Sequence, residues 1–323
     1  MDVFRGLEQF VPPPGGVVLS IGNFDGVHRG HARLVDTAHA VARRLSATVA
    51  VMTLHPHPLA VLAPERAPAR LTTLREKLAL LEHCGVAQCV VLHSEPTLLA
   101  QHAEDFLARL VTHCRPRALV EGPDFNFGRG RGGSIATLEQ HAGEWGYEVH
   151  VVGAVRCEEL PTHPTISSSS IRQALRDGRI AEANTMLGRP YRVVGTTRHG
   201  AGRGAGLGFP TANLEEIAHL LPQEAVYAAV AQLASGALHL AAVNIGPQPT
   251  FGEQRSRVEA HILDLTVDLA GQRVGLHFLV RLREQVKFSG PAGLMEQLRL
   301  DVAATRGFAK ALVQLSDTPM LVL

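Results

Sequence analysis

At 323 residues the chain is long for one compact domain, and two domains are expected. Apolar residues make up 46% and charged residues 19%, the profile of a soluble globular protein able to bury real cores. A net charge of +1 excludes a general electrostatic grip on nucleic acid or an anionic membrane. No apolar run approaches membrane-spanning length.

The N-terminus, MDVFRGLEQF, lacks the basic and apolar halves of a signal peptide. The four cysteines (Cys84, Cys89, Cys114 and Cys157) have no metal-ligand spacing. They read as buried thiols, so a reducing, cytoplasmic location is expected. Val17–Ile21 is an apolar, β-favouring run, followed by the turn GNFDGVHRGH and then by apolar residues at helical spacing from Ala32 to Leu45. A strand-to-helix turn exposes backbone N–H groups beside a positive helix end, which suits phosphate. Within it, His28-Arg29-Gly30-His31 has the form HxGH. Gly30 lets a nucleotide approach the backbone, and both histidines can donate to phosphate oxygens. A helix-capping histidine pair is the plainer alternative.

Further strands are predicted at Thr48–Leu54, Gln88–Leu92, Ala118–Gly122 and Glu148–Val155. Helices are predicted between them, capped near Thr72 or Thr73, from Ala103, and from Ser134. This alternation predicts a parallel sheet covered on both faces, with ligands outside the carboxyl ends of its strands. LHPHP, Leu54 to Pro58, and EGPDFNFGRGRGG, Glu121 to Gly133, would lie on that edge with the HxGH turn. Asp124, Asn126, Phe125 and Phe127 suit a planar ring with hydrogen-bonding edges, although the phenylalanines could equally be core anchors. ISSSSIR then offers hydroxyls and Arg172 at a helix N-terminus, either a second phosphate cradle or an ordinary serine cap.

Helical spacing ends beyond Leu187. Strands are predicted in YRVVGTTR, AVYAAVAQLA, LHLAAVNIG, RVEAHILDL and QRVGLHFLVRLRE, with one closing helix from about Pro291 to Ala311. A short β-barrel fits, which puts the domains at 1–186 and 187–323. Thr211 and Asn213 follow a glycine-rich loop, and their oxygens are hard ligands suited to Mg²⁺ between ATP phosphates. Glu259 lies on an apolar strand; beside such a site it could take a hydroxyl proton, and otherwise it is a solvent-facing residue.

GNFDGVHRGH, LHPHP, GPDFNFG and ISSSSIR, in this order, resemble the adenylyltransferase module of bacterial bifunctional riboflavin kinase/FAD synthetases. LGRPYRVVG, HGAGRGAGLGFPTAN, NIGPQPTFG and VEAHILDL resemble the riboflavin kinase module that follows it. The resemblance implies a Rossmann-like nucleotidyltransferase domain and a six-stranded antiparallel barrel with a C-terminal helix. The first domain would transfer AMP from ATP to FMN, giving FAD and pyrophosphate, and the second would phosphorylate riboflavin with ATP and Mg²⁺. On matching positions, His28 and His31 would hold the ATP phosphates, and Gly22, Asn23, Phe24, Asp25 and Gly26 would contact the nucleotide. Pro56, Pro58, Asp124 and Phe127 would line the flavin side, with Asp124 also in the catalytic group. Ser168 and Arg172 would close over phosphate. In the barrel, Gly204 and Asn213 would contact ATP, Thr211 and Asn213 would hold the metal, and Glu259 would be the base.

The chain departs from the family at Gln223-Glu224-Ala225, at Ala270 and at Ala205-Gly206, all loop or rim positions. An adenylyltransferase with a decayed, flavin-binding kinase half is therefore an alternative. HxGH also occurs in class I aminoacyl-tRNA synthetases, but KFSG at Lys287 is a poor substitute for their second ATP motif. GRGRGG and GAGRGAG are too short for RNA-binding tracts, and near-neutral charge argues against that use. Small-molecule substrates, a monomer or weak homo-oligomer, and no nucleic-acid or membrane partner are expected.

Overall fold

A computed structural model describes residues 1–198, 209–247, 256–265, 267–286 and 288–316. Packing divides the chain into two units. One contains residues 1–158 and 162–166; the other contains residues 159–161 and the chain from Ser167 onward.

The first unit is built on a parallel sheet. Its strands are β1 (Asp2–Arg5), β2 (Val17–Ile21), β3 (Thr48–His55), β4 (Gln88–His93), β5 (Pro116–Glu121) and β8 (Glu148–Val151), in the order β1-β4-β3-β2-β5-β8. All five residues of β2 are buried, as expected for a strand covered on both faces. Helix α1 (Arg29–Leu45) buries Val35, Ala38, Val41 and Ala42 and ends with Ser46 in a left-handed conformation. Helix α3 (Leu74–His83) begins with a capping box between Thr73 and Glu76, so Thr73 rather than Thr72 is the cap. Helices α2 (Pro58–Leu62), α4 (Pro96–Leu99), α5 (Ala103–Cys114) and α6 (Ile135–Trp145) complete the connections, with a two-residue hairpin, β6 (Asn126–Phe127) and β7 (Gly133–Ser134), after β5.

Two elements differ from the sequence expectation. β1 is an additional edge strand, pairing in parallel with β4; its largely exposed residues carry no apolar pattern. β8 stops at Val151 rather than Val155, because its partner β5 ends at Glu121 and offers no further ladder.

The second unit begins with α7 (Ser168–Arg176) and α8 (Ile180–Leu187). The Ser167 hydroxyl caps α7 by accepting from Ser170 N at 3.1 Å. Gly178, at φ 69°, permits the turn between them, and a Cβ there would lie 2.6 Å from Gln223 Oε1. Asn184 joins α8 to the barrel, donating to Phe278 O at 2.9 Å and accepting from Tyr191 N at 2.7 Å. The sequence boundary near Leu187 separates helices from strands, whereas packing groups both helices with the barrel.

The barrel is closed and antiparallel. Its strands are β9 (Tyr191–Arg198), β10 (Ala212–Glu215), β11 (Ala225–Gln232), β12 (Leu238–Pro247), β13 (Ser256–Ile262) and β14 (Arg273–Arg283), in the order β10-β13-β12-β11-β14-β9. β10 was not expected; its four residues fall within the stretch read as a metal-binding loop. The closing helix is two helices, α9 (Pro291–Arg306) and α10 (Lys310–Ser316). Between them, tight bonds from Gly307, Phe308 and Ala309 to carbonyls three residues back interrupt the α-helical pattern.

Asp301 on α9, only 4% exposed, receives Arg283 Nε at 2.8 Å and Arg283 Nη2 at 2.7 Å. This bidentate pair fixes α9 to the end of β14. Asp301→Ala would strand the guanidinium, at a cost of roughly 2–4 kcal/mol. Denaturant unfolding followed in the barrel unit should show that loss, and Asp301→Asn should lose less. Equal stability of Asp301→Ala and the parent would show that the pair does not hold the helix.

Candidate active site

The turn after β2 has the geometry of a nucleotide loop. Phe24 (φ 46°), Gly26 (φ 85°) and Val27 (φ 37°) all lie in the left-handed region, so the segment is tightly bent. His28 is the N-cap of α1, and the two histidines cap each other. His31 N donates to His28 Nδ1 and His28 N donates to His31 Nδ1, each at 3.3 Å. Their rings stack at 3.6 Å between centroids. With each Nδ1 accepting, the neutral form of either ring carries its proton on Nε2. The capping alternative and the donor reading are therefore compatible. A Cβ on Gly30 would lie 3.1 Å from the His28 ring and 3.3 Å from Ile166 O, so no larger residue fits without displacement.

The Asp25 and Phe24 side chains are engaged within the protein. The Asp25 carboxylate accepts from Leu71 N at 3.1 Å and from Thr72 N at 3.1 Å, and also from the Thr72 hydroxyl at 3.2 Å. Thr72 Oγ1 accepts from Gly26 N at 3.1 Å. A carboxylate facing these backbone donors braces the loop. Phe24 is 1% exposed, with its ring against His31 and beside Gly22. Asn23 donates through Nδ2 to His57 at 3.2 Å, and its backbone oxygen accepts from the Thr53 hydroxyl.

Beneath this loop is a residue that the sequence motifs did not single out. Lys77 of α3 is 6% exposed, and its ammonium donates to Thr53 Oγ1 at 3.2 Å. Burial lowers its pKa. The signal was available: Lys77 shares the buried face of α3 with Leu80 and Leu81. A small cavity of about 30 Å³ is lined by Lys77, Asn23, His55, His57 and Arg70. A larger one of about 410 Å³ lies on the same strand edge, lined by Arg5, Leu7, His55, His93, Leu98 and Gln101. His55 belongs to both, and burial lowers its pKa first, with Lys77, Arg70, His93 and Arg5 adding to the effect.

Glu121, at the end of β5, was also overlooked. It is 1% exposed and accepts from Ile21 N at 2.7 Å, tying the strand before the nucleotide loop to the strand before Gly122–Phe127. Burial raises its pKa well above 4.5. Asp124 is exposed, and its backbone oxygen accepts from Asn126 Nδ2 at 2.6 Å. Phe127 is 8% exposed in the apolar core and stacks on Phe125. Pro56 and Pro58 are half-buried after β3. Ser168 and Arg172 belong to α7 of the second unit, where Arg172 is 7% exposed.

In the barrel, β10 and β13 place Asn213 directly opposite Glu259. Asn244 of β12 pairs with Glu259 from the other side. Glu259 Oε1 lies 3.2 Å from Arg257 Nη1, and its side chain is 30% exposed. Asn213 is 6% exposed, whereas Thr211, just before the strand, is exposed. His261 Nδ1 is 2.8 Å from Pro210 O and its ring meets Phe209, which fixes the approach to Thr211. Gly204 lies outside the described residues.

A tight strand-to-helix turn on a parallel sheet, followed in one chain by a closed barrel presenting polar groups on adjacent strands, fits a two-part transferase of the nucleotidyltransferase and kinase types. The FAD synthetase family matches residues 12–169 and the riboflavin kinase family matches residues 187–309. The chain belongs to the family of bifunctional riboflavin kinase/FMN adenylyltransferases. The protein of that name from Escherichia coli K12 is 37% identical over 316 residues, covering 95% of this chain and 98% of its own. Its counterpart in Haemophilus influenzae is 33% identical, with 95% and 99% covered. A solved structure titled macrolide-efflux protein, from Streptococcus pneumoniae, matches with a TM-score of 0.85 at 28% identity, covering 95% of this chain and 99% of that one. Among the described residues no helix is long and apolar enough to cross a membrane.

Glu121 yields a pH prediction. A carboxyl with a raised folded pKa stays protonated in the fold while the unfolded chain ionises above about 4.5, so its burial costs more stability as pH rises. Glu121→Gln keeps an acceptor for Ile21 and removes the titration. Its stability relative to the parent, from urea melts, should improve between pH 5 and pH 8. A difference independent of pH would contradict a neutral carboxyl at this position.

Proposed function

We propose that the first unit joins AMP from ATP to FMN, releasing pyrophosphate, and that the barrel transfers the terminal phosphoryl group of ATP to riboflavin. Family membership supports this reading, and the observation that carries the first half of it is the mutually capped His28–His31 pair. With protons on Nε2, both rings are donors preorganised for the ATP phosphates as charge shifts toward pyrophosphate. Asn23 and Gly22–Gly26 shape the nucleotide loop, with Asp25 bracing it from behind. FMN already carries an ionised phosphate nucleophile, so positioning and charge neutralisation account for the chemistry without a general base. The 410 Å³ cavity is lined by apolar residues such as Leu7, Leu92 and Leu98 together with polar and charged ones, and we assign it to the flavin ring. Pro56 and Pro58 flank its His55 corner, and Asp124 stands on the same strand edge.

In the barrel, Glu259 takes the proton of the ribityl hydroxyl as that oxygen attacks, with Arg257 orienting the carboxylate. The Thr211 hydroxyl and Asn213 amide oxygen are hard donors at a carboxylate-bearing strand pair, a donor set that fits Mg²⁺. Such an ion would supply charge neutralisation to ATP phosphates. The family match across residues 187–309 supports placing this activity after Leu187. We further assign the protein to the cytoplasm, acting on small molecules as a monomer or weak homo-oligomer.

Incubation with riboflavin, MgATP and chromatographic separation of FMN and FAD tests both activities. His31→Ala should lower FAD formation from FMN by about 10²–10³-fold and leave FMN formation intact. Glu259→Gln should do the reverse, with a loss of roughly 10²–10⁴-fold in riboflavin phosphorylation. Normal FAD synthesis by His31→Ala would overturn the assignment of the first site. Failure of the parent chain to phosphorylate riboflavin would support a decayed kinase half.

A further inference from the structure

Adenylyl transfer to FMN brings two phosphate groups together, and one set of donors cannot neutralise both. If the first unit is an FMN adenylyltransferase, as proposed, the HxGH pair serves the nucleotide; the subsite argued below depends on that assignment. The attacking phosphate monoester requires cations of its own.

The structure supplies a cluster of them on the adjoining edge. Lys77 is buried under the nucleotide loop, and the one hydrogen bond of its ammonium among the described residues is to Thr53. A buried ammonium has three donors to satisfy, and an isolated buried charge is costly. Neither Lys77 nor Arg70 forms an ion pair among the described residues. The nearest carboxylate acting on Lys77 is Asp25, whose oxygens already accept from Leu71 and Thr72. His55 lies close enough to Lys77, Arg70, His93 and Arg5 for all four to act on it. So Lys77, Arg70 and Arg5 gather about the end of β3; Asp25 is engaged by backbone donors, and Glu8, which pairs with Arg109, and Glu95 line the larger cavity. The cavity of about 30 Å³ is lined by Lys77, Arg70 and His57 and also by Asp25, whose oxygens are engaged by Leu71 and Thr72, and it has room for the leading oxygens of a small anion. His55 joins this cavity to the larger one assigned to the flavin ring.

We propose that Lys77 and Arg70 form the subsite for the 5′-phosphate of FMN, distinct from the histidine pair that holds ATP. The phosphate completes the donor set of Lys77 and neutralises the cluster, while the ring enters the larger cavity past His55. Riboflavin has no group for this subsite, so the site selects the phosphorylated flavin as substrate.

The test uses the full-length chain in steady-state FAD synthesis, varying FMN and MgATP separately. Arg70 is exposed, so Arg70→Ala and Arg70→Glu should fold normally. Arg70→Ala and Lys77→Met should each raise the KM for FMN about tenfold, the usual effect of losing a charged hydrogen bond. Arg70→Glu should raise it further, and Lys77→Arg should restore part of the loss. The KM for ATP and the rate of riboflavin phosphorylation should stay as in the parent. An unchanged KM for FMN in both Arg70 variants would overturn the proposal. So would a rise confined to the KM for ATP, which would give the cluster to the nucleotide. A parent chain that makes no FAD would instead defeat the underlying functional reading.

Discussion

The Asp25 carboxylate spans two segments that are far apart in sequence. It accepts from the backbone of Leu71 and Thr72, and Thr72 in turn accepts from Gly26. Through these bonds the nucleotide loop, the start of α1 and the start of α3 become one rigid body. The left-handed residues Phe24 and Val27 are held in place by this bracing, because nothing in their own preferences favours that conformation. The same bracing positions α3, and with it Lys77, directly under the loop. Buried hydrogen bonds to a charged group are among the stronger ones available to a fold, and here they are placed where precision matters.

Glu121 performs a similar service from the other side of β2. One strand ends at Ile21 and its neighbour at Glu121, and the Glu121 side chain closes the gap between them. The two loops that follow, Gly22–Gly26 and Gly122–Phe127, therefore start from a common point. The barrel uses a different device. Asn213, Glu259 and Asn244 sit on three adjacent strands in direct register, so their separation is set by the ladder itself.

Much of this was legible in the chain. The run VVLSI is β2 residue for residue, and YRVVGTTR is β9, because continuous apolar runs bounded by turn residues permit little else. The HxGH turn was placed correctly by the helical spacing after it. What sequence could not show was the direction of side chains within a loop. Asp25 looks like a ligand contact in GNFDG, and only packing shows it turned toward Leu71. Lys77 in LREKLALL resembles an ordinary solvated charge until the helix is docked. The packing of Phe127 depends on partners such as Phe106, which lies distant in sequence. β1 was invisible because four residues at a sheet edge need no apolar alternation. The split between α9 and α10 reflects local turn bonding that apolar spacing does not encode.

The reciprocal cap on α1 also ties the two histidines to each other. Each Nδ1 accepts from the other residue's backbone N–H, so the bonds that start the helix are the same bonds that orient the rings. Neither ring can turn without unfastening a helix-starting bond, and neither residue can be replaced without unseating its partner. Substitution at one position is therefore felt at both, and the two side chains behave as a single unit. A helix cap, ordinarily a matter of stability alone, thereby fixes the direction of two side chains at once.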